Sequence, residues 1–152
     1  ELGFIYNNYL MTCPRYEHPN QLGSNCSPCS NVAPTIIFNQ NNFPVLALGA
    51  AGSRRITSSI LQTISNVIDW KLPIDEALNT PRIHDLLNRK VWLEQPIFSE
   101  ELRKLLKKKF RKIIVKSKKH YKMAAVQALQ FDEKKNCSGA ADPRREGNWV
   151  VI

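Results

Sequence analysis

A chain of 152 residues, 43% of them apolar and with a net charge of +9, is long enough to bury one core and no more than about one domain. No apolar run approaches the roughly 20 residues of a membrane span, so no membrane helix is expected within the chain. The chain opens on "ELGFIYNNYL", with neither Met nor a basic–apolar–small leader; it reads as a processed chain or a fragment, and its compartment is not legible.

"GFIYNN" (3–8) predicts a strand, followed by a polar loop from Tyr9 to Ala33 that carries Pro14, Pro19 and Pro28. Loops this long in compact domains are functional or disordered. "PTIIF" (34–38) and "FPVLALG" (43–49) predict a hairpin around "NQNN", where Asn supplies residues that tolerate positive φ. A helix is expected over 54–69, its apolar stripe made by Ile56, Ile60, Leu61, Ile64, Val67 and Ile68. "PIDEALN" (73–79) reads as a short helix with Pro at its first position and acids in its first turn. "RKVWLE" (89–94) reads as a strand, and "SEELRKLLKKKF" (99–110) as a helix capped by Ser99. Leu102, Leu105, Leu106 and Phe110 give that helix its apolar face, and Ile113, Ile114 and Val115 predict a buried strand after it. "AAVQALQFD" (124–132) and "CSGAAD" (137–142) predict strands around "EKKN", and "NWVVI" closes the chain. Hairpins with helices between some of them argue for a layered α+β domain rather than a doubly wound parallel sheet.

Eleven of the 22 basic residues fall between Arg103 and Lys122. A patch of this kind could serve nucleic acid or an acidic surface. No nucleic-acid-binding signature accompanies it, so it reads as the solvated side of ordinary secondary structure, and nucleic acid is not expected as a partner. Four cysteines are present, and "CSPC" (26–29) has the spacing of half a zinc site or of a redox pair. The remaining candidates (Cys13, Cys137, His18, His84 and His120) are scattered, and the motif lies in a loop rather than between a strand and a helix. Neither a metal nor a cofactor is expected. His84 in "PRIHD" is a general base or a structural hydrogen-bonder, and Asp142 in "GAADPRR" can fix a turn through its side chain. No Ser-His-Asp set stands out.

The small-residue turn "GAAGS" (49–53) joins the apolar strand to the helix. Such a turn either holds an anion or a developing oxyanion on backbone N–H groups or simply connects the two elements.

The motifs "GFIYNN", "APTIIF", "PVLALGAAGSRRITSSILQTISNVIDW", "IDEALNTPRIH", "AAVQAL" and "GAADPRR", in this order and at these spacings, resemble the small-subunit end of the gamma-glutamyltransferase family. The resemblance runs from Gly3 to about Gly147 and is weakest between Arg103 and Met123. It implies an N-terminal-nucleophile hydrolase fold, an αββα sandwich of two stacked antiparallel sheets between helix layers. Residues 1–152 would then be a single incomplete domain, lacking its N-terminal strand or strands and the large subunit. It also implies a precursor that cuts itself and a new N-terminal threonine that attacks a gamma-glutamyl amide such as glutathione. The acyl group then passes to water or to an amine. On family layout that threonine belongs roughly 35 residues before Glu1, so this chain alone would be inactive.

Carried over by position, the family's Pro-Gly-Gly-Ser-Arg turn reads Ala51-Gly52-Ser53-Arg54-Arg55. Gly52 and Ser53 would give the oxyanion its backbone N–H groups, with Ser53 standing where the second glycine is usual. The Ser-Ser pair that touches the substrate's alpha-carboxylate corresponds to Ser30-Asn31, and both side chains can donate to a carboxylate. Many members place an acidic residue after the Asn-Asn pair to grip the alpha-ammonium; here Tyr9-Leu10-Met11-Thr12 follows, with no carboxylate before Glu17. Two other readings stand beside the gamma-glutamyl one: a related acylase or poly-gamma-glutamate-cleaving enzyme, and a non-catalytic basic binding protein that kept the fold.

Overall fold

The computed structural model describes residues 22–23, 25, 27–28, 30–96 and 99–150. The expected strand at 3–8 and three of the four cysteines lie outside these residues, as do Val151 and Ile152. Contacts divide the chain into two units, Glu1–Asn31 and Val32–Ile152. In the first, the described residues form no helix or strand.

The second unit begins with the hairpin, β1 (Thr35–Phe38) and β2 (Pro44–Ala51), paired antiparallel. Its turn is held by Asn39, whose Oδ1 accepts from the N–H groups of Asn41 (2.9 Å) and Phe43 (3.0 Å), while Asn42 takes a φ of 56°. A single 3-10 turn (Ser53–Arg55) leads into α1 (Ile56–Ile68), and α2 (Ile74–Asn79) follows with Pro73 as its N-cap. Then come β3 (Ile83–Asp85), β4 (Lys90–Glu94), α3 (Glu100–Lys109) and β5 (Lys112–Lys116). The chain finishes with the hairpin of β6 (Ala125–Phe131) and β7 (Cys137–Ala141).

Among the described residues the strands form two sheets. In the first, ordered β1-β2-β6-β7, every pair is antiparallel. Alternation along each strand sends Leu46, Leu48, Val126, Ala128 and Ala140 to one face, where α1 and α2 cover them with Ile56, Ile60, Val67, Ile74, Ala77 and Leu78. Burying each of the larger aliphatic side chains contributes roughly 1.5–3 kcal/mol. This helix-backed sheet has the layering of one αβ half of the αββα sandwich that the resemblance implies. Its other face presents the row Ile36–Ala47–Leu129–Gly139. Ile36 is 59% and Leu129 40% exposed, and Trp149 lies over Gly139 so closely that a Cβ there would meet its ring at 2.8 Å. Beside Trp149, Ala47, Gly49, Gln127 and Leu129 help line a cleft of about 290 Å³.

The second sheet, ordered β3-β4-β5, departs from the hairpin pattern. β4 and β5 run parallel, because α3 carries the chain back between them. Val91, Leu93 and Phe110 form a second small core with Ile83, Leu106 and Ile113. Ser99 caps α3 as expected, its Oγ accepting from Leu102 N–H at 3.3 Å.

Several apolar positions are not where periodicity puts them. Leu61 is 66% exposed and Leu105 60% exposed, and Val115 is only partly covered. On α1 the buried places are taken instead by Ser59 and Thr63, whose hydroxyls donate to Ile56 O (2.8 Å) and Ser59 O (2.9 Å). A hydroxyl that bonds back to its own helix can be buried without an orphaned donor, and this lets the helix lie close on the sheet.

Candidate functional site

The turn between β2 and α1 holds one of the unit's left-handed residues. Ser53 adopts a φ of 54°, a left-handed conformation that glycine takes freely and serine seldom does. Gly52 carries out a different task. A Cβ at that position would overlap the methyl of Ala124 and come within 2.8 Å of its Cα, so only glycine fits there. The carbonyls of Gly52 and Ser53 are turned into the helix, accepting from the N–H groups of Arg55 (3.2 Å) and Ile56. The amides of Gly52 and Ser53 precede those first helical donors, at the positive end of α1.

Ala124, which leads into β6, is itself held in an exceptional conformation, φ 67° and ψ 167°, and is fully buried. This region is nearly exclusive to glycine and costs an alanine roughly 1–3 kcal/mol, so the surroundings must impose it. They do so through Arg82 and Asp142. Arg82 is 2% exposed and donates from Nη1 to Ala124 O at 3.1 Å, while its Nη2 sits 2.6 Å from Asp142 Oδ2 as an ion pair without hydrogen-bond alignment. The same Asp142 oxygen accepts from Val126 N–H at 2.8 Å. The guanidinium of Arg82 is held below its ordinary pKa, by burial first and against the attraction of Asp142.

Asp142 fixes its turn as expected, its Oδ1 accepting from Arg144 N–H at 3.0 Å. It also belongs to a buried ion network that sequence reasoning did not find. Arg144 bonds Glu94 through Nε (2.9 Å) and Nη2, Asp142 through Nη1 (3.1 Å), and the carbonyls of Leu78 (2.8 Å) and Thr80 (2.7 Å). Glu94 accepts in addition from the N–H groups of Arg82 (3.1 Å) and His120 (2.7 Å). The four charges come from the segment after α2, from β4 and from the end of β7, so the network joins both sheets to α2.

His84 hydrogen-bonds Ser58, its Nδ1 lying 2.8 Å from Ser58 Oγ, and its ring stands 6.1 Å from that of Trp92. The Ser58 hydroxyl also lies 3.1 Å from Arg55 O, an acceptor to which it can donate when the imidazole Nδ1 carries the proton of the His84 contact. Gln62 clips α1 to β3 by exchanging both amide bonds with the Ile83 backbone, each at 2.9 Å. Asn66 reaches Thr80 Oγ1 at 2.6 Å. Ser58, Gln62 and Asn66 recur every four residues, a period the sequence does contain. Arg55 and Lys116 both approach the Trp92 ring, at 5.6 and 4.5 Å from its centroid.

Of the residues picked out in advance, Gly52 and Ser53 stand side by side in this turn. Ser30, exposed, and Asn31, half-buried, belong to the other unit and lie in chain without regular structure. Cys137 is a free, half-buried thiol.

A sheet backed by helices on one face, with a strand feeding a glycine-containing turn at a helix N-terminus, fits the N-terminal-nucleophile hydrolase fold that the resemblance implies, and solved gamma-glutamyltranspeptidases superpose on it. The gamma-glutamyltranspeptidase family model matches residues 1–152, and the chain belongs to that family. It is 32% identical over 130 residues to the glutathione hydrolase proenzyme of Escherichia coli K12, covering 82% of this chain and 21% of the relative. With the Bacillus subtilis 168 proenzyme it shares 31% over 156 residues, 100% of this chain and 25% of the relative. The Helicobacter pylori gamma-glutamyltranspeptidase T380A mutant superposes with a TM-score of 0.79 at 29% identity, covering 95% of this chain and 83% of that one. The chain thus spans about a fifth to a quarter of the length of these curated relatives.

Proposed function

We propose that this chain is the C-terminal section of a gamma-glutamyl acyltransferase or hydrolase, and that it forms one incomplete domain completed by a large subunit of the same precursor. The reaction begins when an N-terminal threonine, located outside these residues, attacks the carbonyl carbon of a gamma-glutamyl amide. The tetrahedral oxyanion is held by the N–H groups of Gly52 and Ser53. As it collapses the C–N bond breaks, the leaving amine takes a proton, and an ester to threonine remains. Water or an acceptor amine then attacks the ester and releases the threonine. Ser30 and Asn31 hold the substrate's alpha-carboxylate through hydrogen bonds. The sheet face that carries Ile36, Ala47 and Leu129, with Ile36 and Leu129 open to water, is the surface against which the other half of the sandwich packs.

The observation that carries this reading is the conformation of Ser53. A serine at φ 54°, beside a glycine that no other residue can replace, preserves a backbone shape otherwise made by two glycines. The turn also sits at the positive end of a 13-residue helix, where developing negative charge is stabilised.

The test uses the complete processed protein and a chromogenic gamma-glutamyl anilide. Proline cannot take the φ of 54° found at Ser53, so Ser53→Pro removes one backbone donor and reshapes the turn together; with its folded fraction measured in parallel, kcat should fall on the order of 100-fold or more and KM should change less, because the interaction strengthens only as the oxyanion forms. Ser53→Gly should keep or raise kcat. A folded Ser53→Pro enzyme turning over at the parent rate would refute the assignment.

A further inference from the structure

Behind the turn, Ala124 occupies a backbone region reserved for glycine, yet it is alanine, and its methyl fills the space a side chain on Gly52 would need. Both neighbouring peptide units are fastened. The carbonyl of Ala124 is bonded by Arg82 Nη1, and the N–H of Val126 by Asp142 Oδ2, which also pairs with Arg82. Between them, Ala125 pairs in register with Ala51, the residue just before Gly52. Thus one side of the turn is tied by the strand ladder and its back rests on the methyl of Ala124.

We infer that Ala124 and Arg82 are positioning residues for the Gly52–Ser53 turn: Arg82, oriented by Asp142, holds Ala124 in a conformation it would otherwise leave, and the methyl of Ala124 sets where the Gly52 amide points. The inference rests on the oxyanion reading of that turn. Neither side chain touches the reacting atoms. Their contribution is the placement of a donor, and a displacement near 1 Å at a reacting centre can cost on the order of 100-fold in rate.

The experiment separates positioning from packing. In the complete processed enzyme, Ala124→Gly removes the methyl but suits the observed φ and ψ, so thermal stability should be held or raised. Its kcat with the gamma-glutamyl anilide should nevertheless fall by about tenfold or more, with KM within about twofold. Arg82→Lys keeps the charge opposite Asp142 but loses the bond to Ala124 O, and its folded fraction should show the same split between kcat and KM. Ser53→Pro is measured alongside. Loss in Ser53→Pro with parental kcat in Ala124→Gly overturns the positioning role and leaves the oxyanion reading standing. Parental kcat in both overturns the oxyanion reading itself. A fall in stability that tracks the fall in kcat in Ala124→Gly would make the methyl an ordinary packing contact and would also overturn the inference.

Discussion

Replacing Glu94 by alanine should cost about 4 kcal/mol or more of stability, although the residue lies outside the oxyanion turn. Its carboxylate is fully buried and accepts from four donors: Arg144 Nε and Nη2, Arg82 N–H and His120 N–H. Without it, Asp142 alone would face two guanidiniums, Arg82 at 2.6 Å and Arg144 at 3.1 Å. Removing one partner of a buried ion pair costs about 3–5 kcal/mol, because the other charge stays desolvated. Two orphaned backbone donors add about 1–3 kcal/mol each, less their overlap with the first term. Against a typical total of about 5–15 kcal/mol this is a large share. Glu94→Gln keeps the shape but sets an amide N–H against a donor and still removes the charge opposite Arg144, so it too should be strongly destabilising, by about 3 kcal/mol or more. Urea unfolding of the complete protein, followed by tryptophan fluorescence, reads the difference. With slopes of about 1–3 kcal/mol per molar, the Glu94→Ala midpoint should fall by more than about 1 M. An unchanged midpoint with an unchanged slope would refute the energetic account of the network.

His84 is held below the ordinary histidine pKa by burial and then by the charge of Arg55, against a smaller opposing pull from Asp85. The unfolded chain therefore takes up the proton more readily, and the stability this group confers at neutral pH is lost as pH falls from about 7 through the lowered value. His84→Gln should flatten that part of the stability–pH curve, and a curve of unchanged steepness would exclude His84 as its source. Lys107, Lys108 and Lys118 are exposed. Neutralising all three should change stability by no more than about 0.5 kcal/mol each and leave turnover near the parent value, whereas salt-sensitive binding to nucleic acid lost in that variant would favour a binding role for the patch. The isolated 152-residue chain should aggregate, because Ile36, Phe38 and Leu129 are left open to water; a sharp, reversible thermal transition for the chain alone would contradict this.

What could be read from the sequence was local. Asn39 and Asn42 announce their hairpin because the turn is made by their own side chain and φ. Ser99 announces its helix in the same way. Ala51-Gly52-Ser53 was visible as a turn, but that Ser53 takes the left-handed conformation and that Gly52 abuts Ala124 depends on a contact between residues 72 positions apart. The parallel pairing of β4 with β5 was hidden for a related reason. Short apolar runs predict strands and not their partners, and a charged helix between two strands fits more than one topology. Leu61 and Leu105 misled because each sits beside a genuine stripe, and only packing tells a residue at the edge of a face from one within it. Arg82, Glu94, Asp142 and Arg144 gave no periodic signal, since their pattern exists only in three dimensions.

The separation that hid the Arg144 network in sequence also sets when it can form. Its bonds to Glu94 and to Leu78 O close loops of 50 and 66 residues; the first waits for β4 and the second for α2 to meet the segment after β7. Contacts that close such long loops are expected to form late in folding, which low φ-values at Glu94 and Arg144 would show. Their free energy accordingly resides in the barrier to leaving the native state. Weakening the network should quicken unfolding almost in full proportion while refolding keeps its pace, a division that the two limbs of a chevron plot separate. On that expectation the network acts as a clock: it bears on how long a folded molecule lasts rather than on how soon it is made.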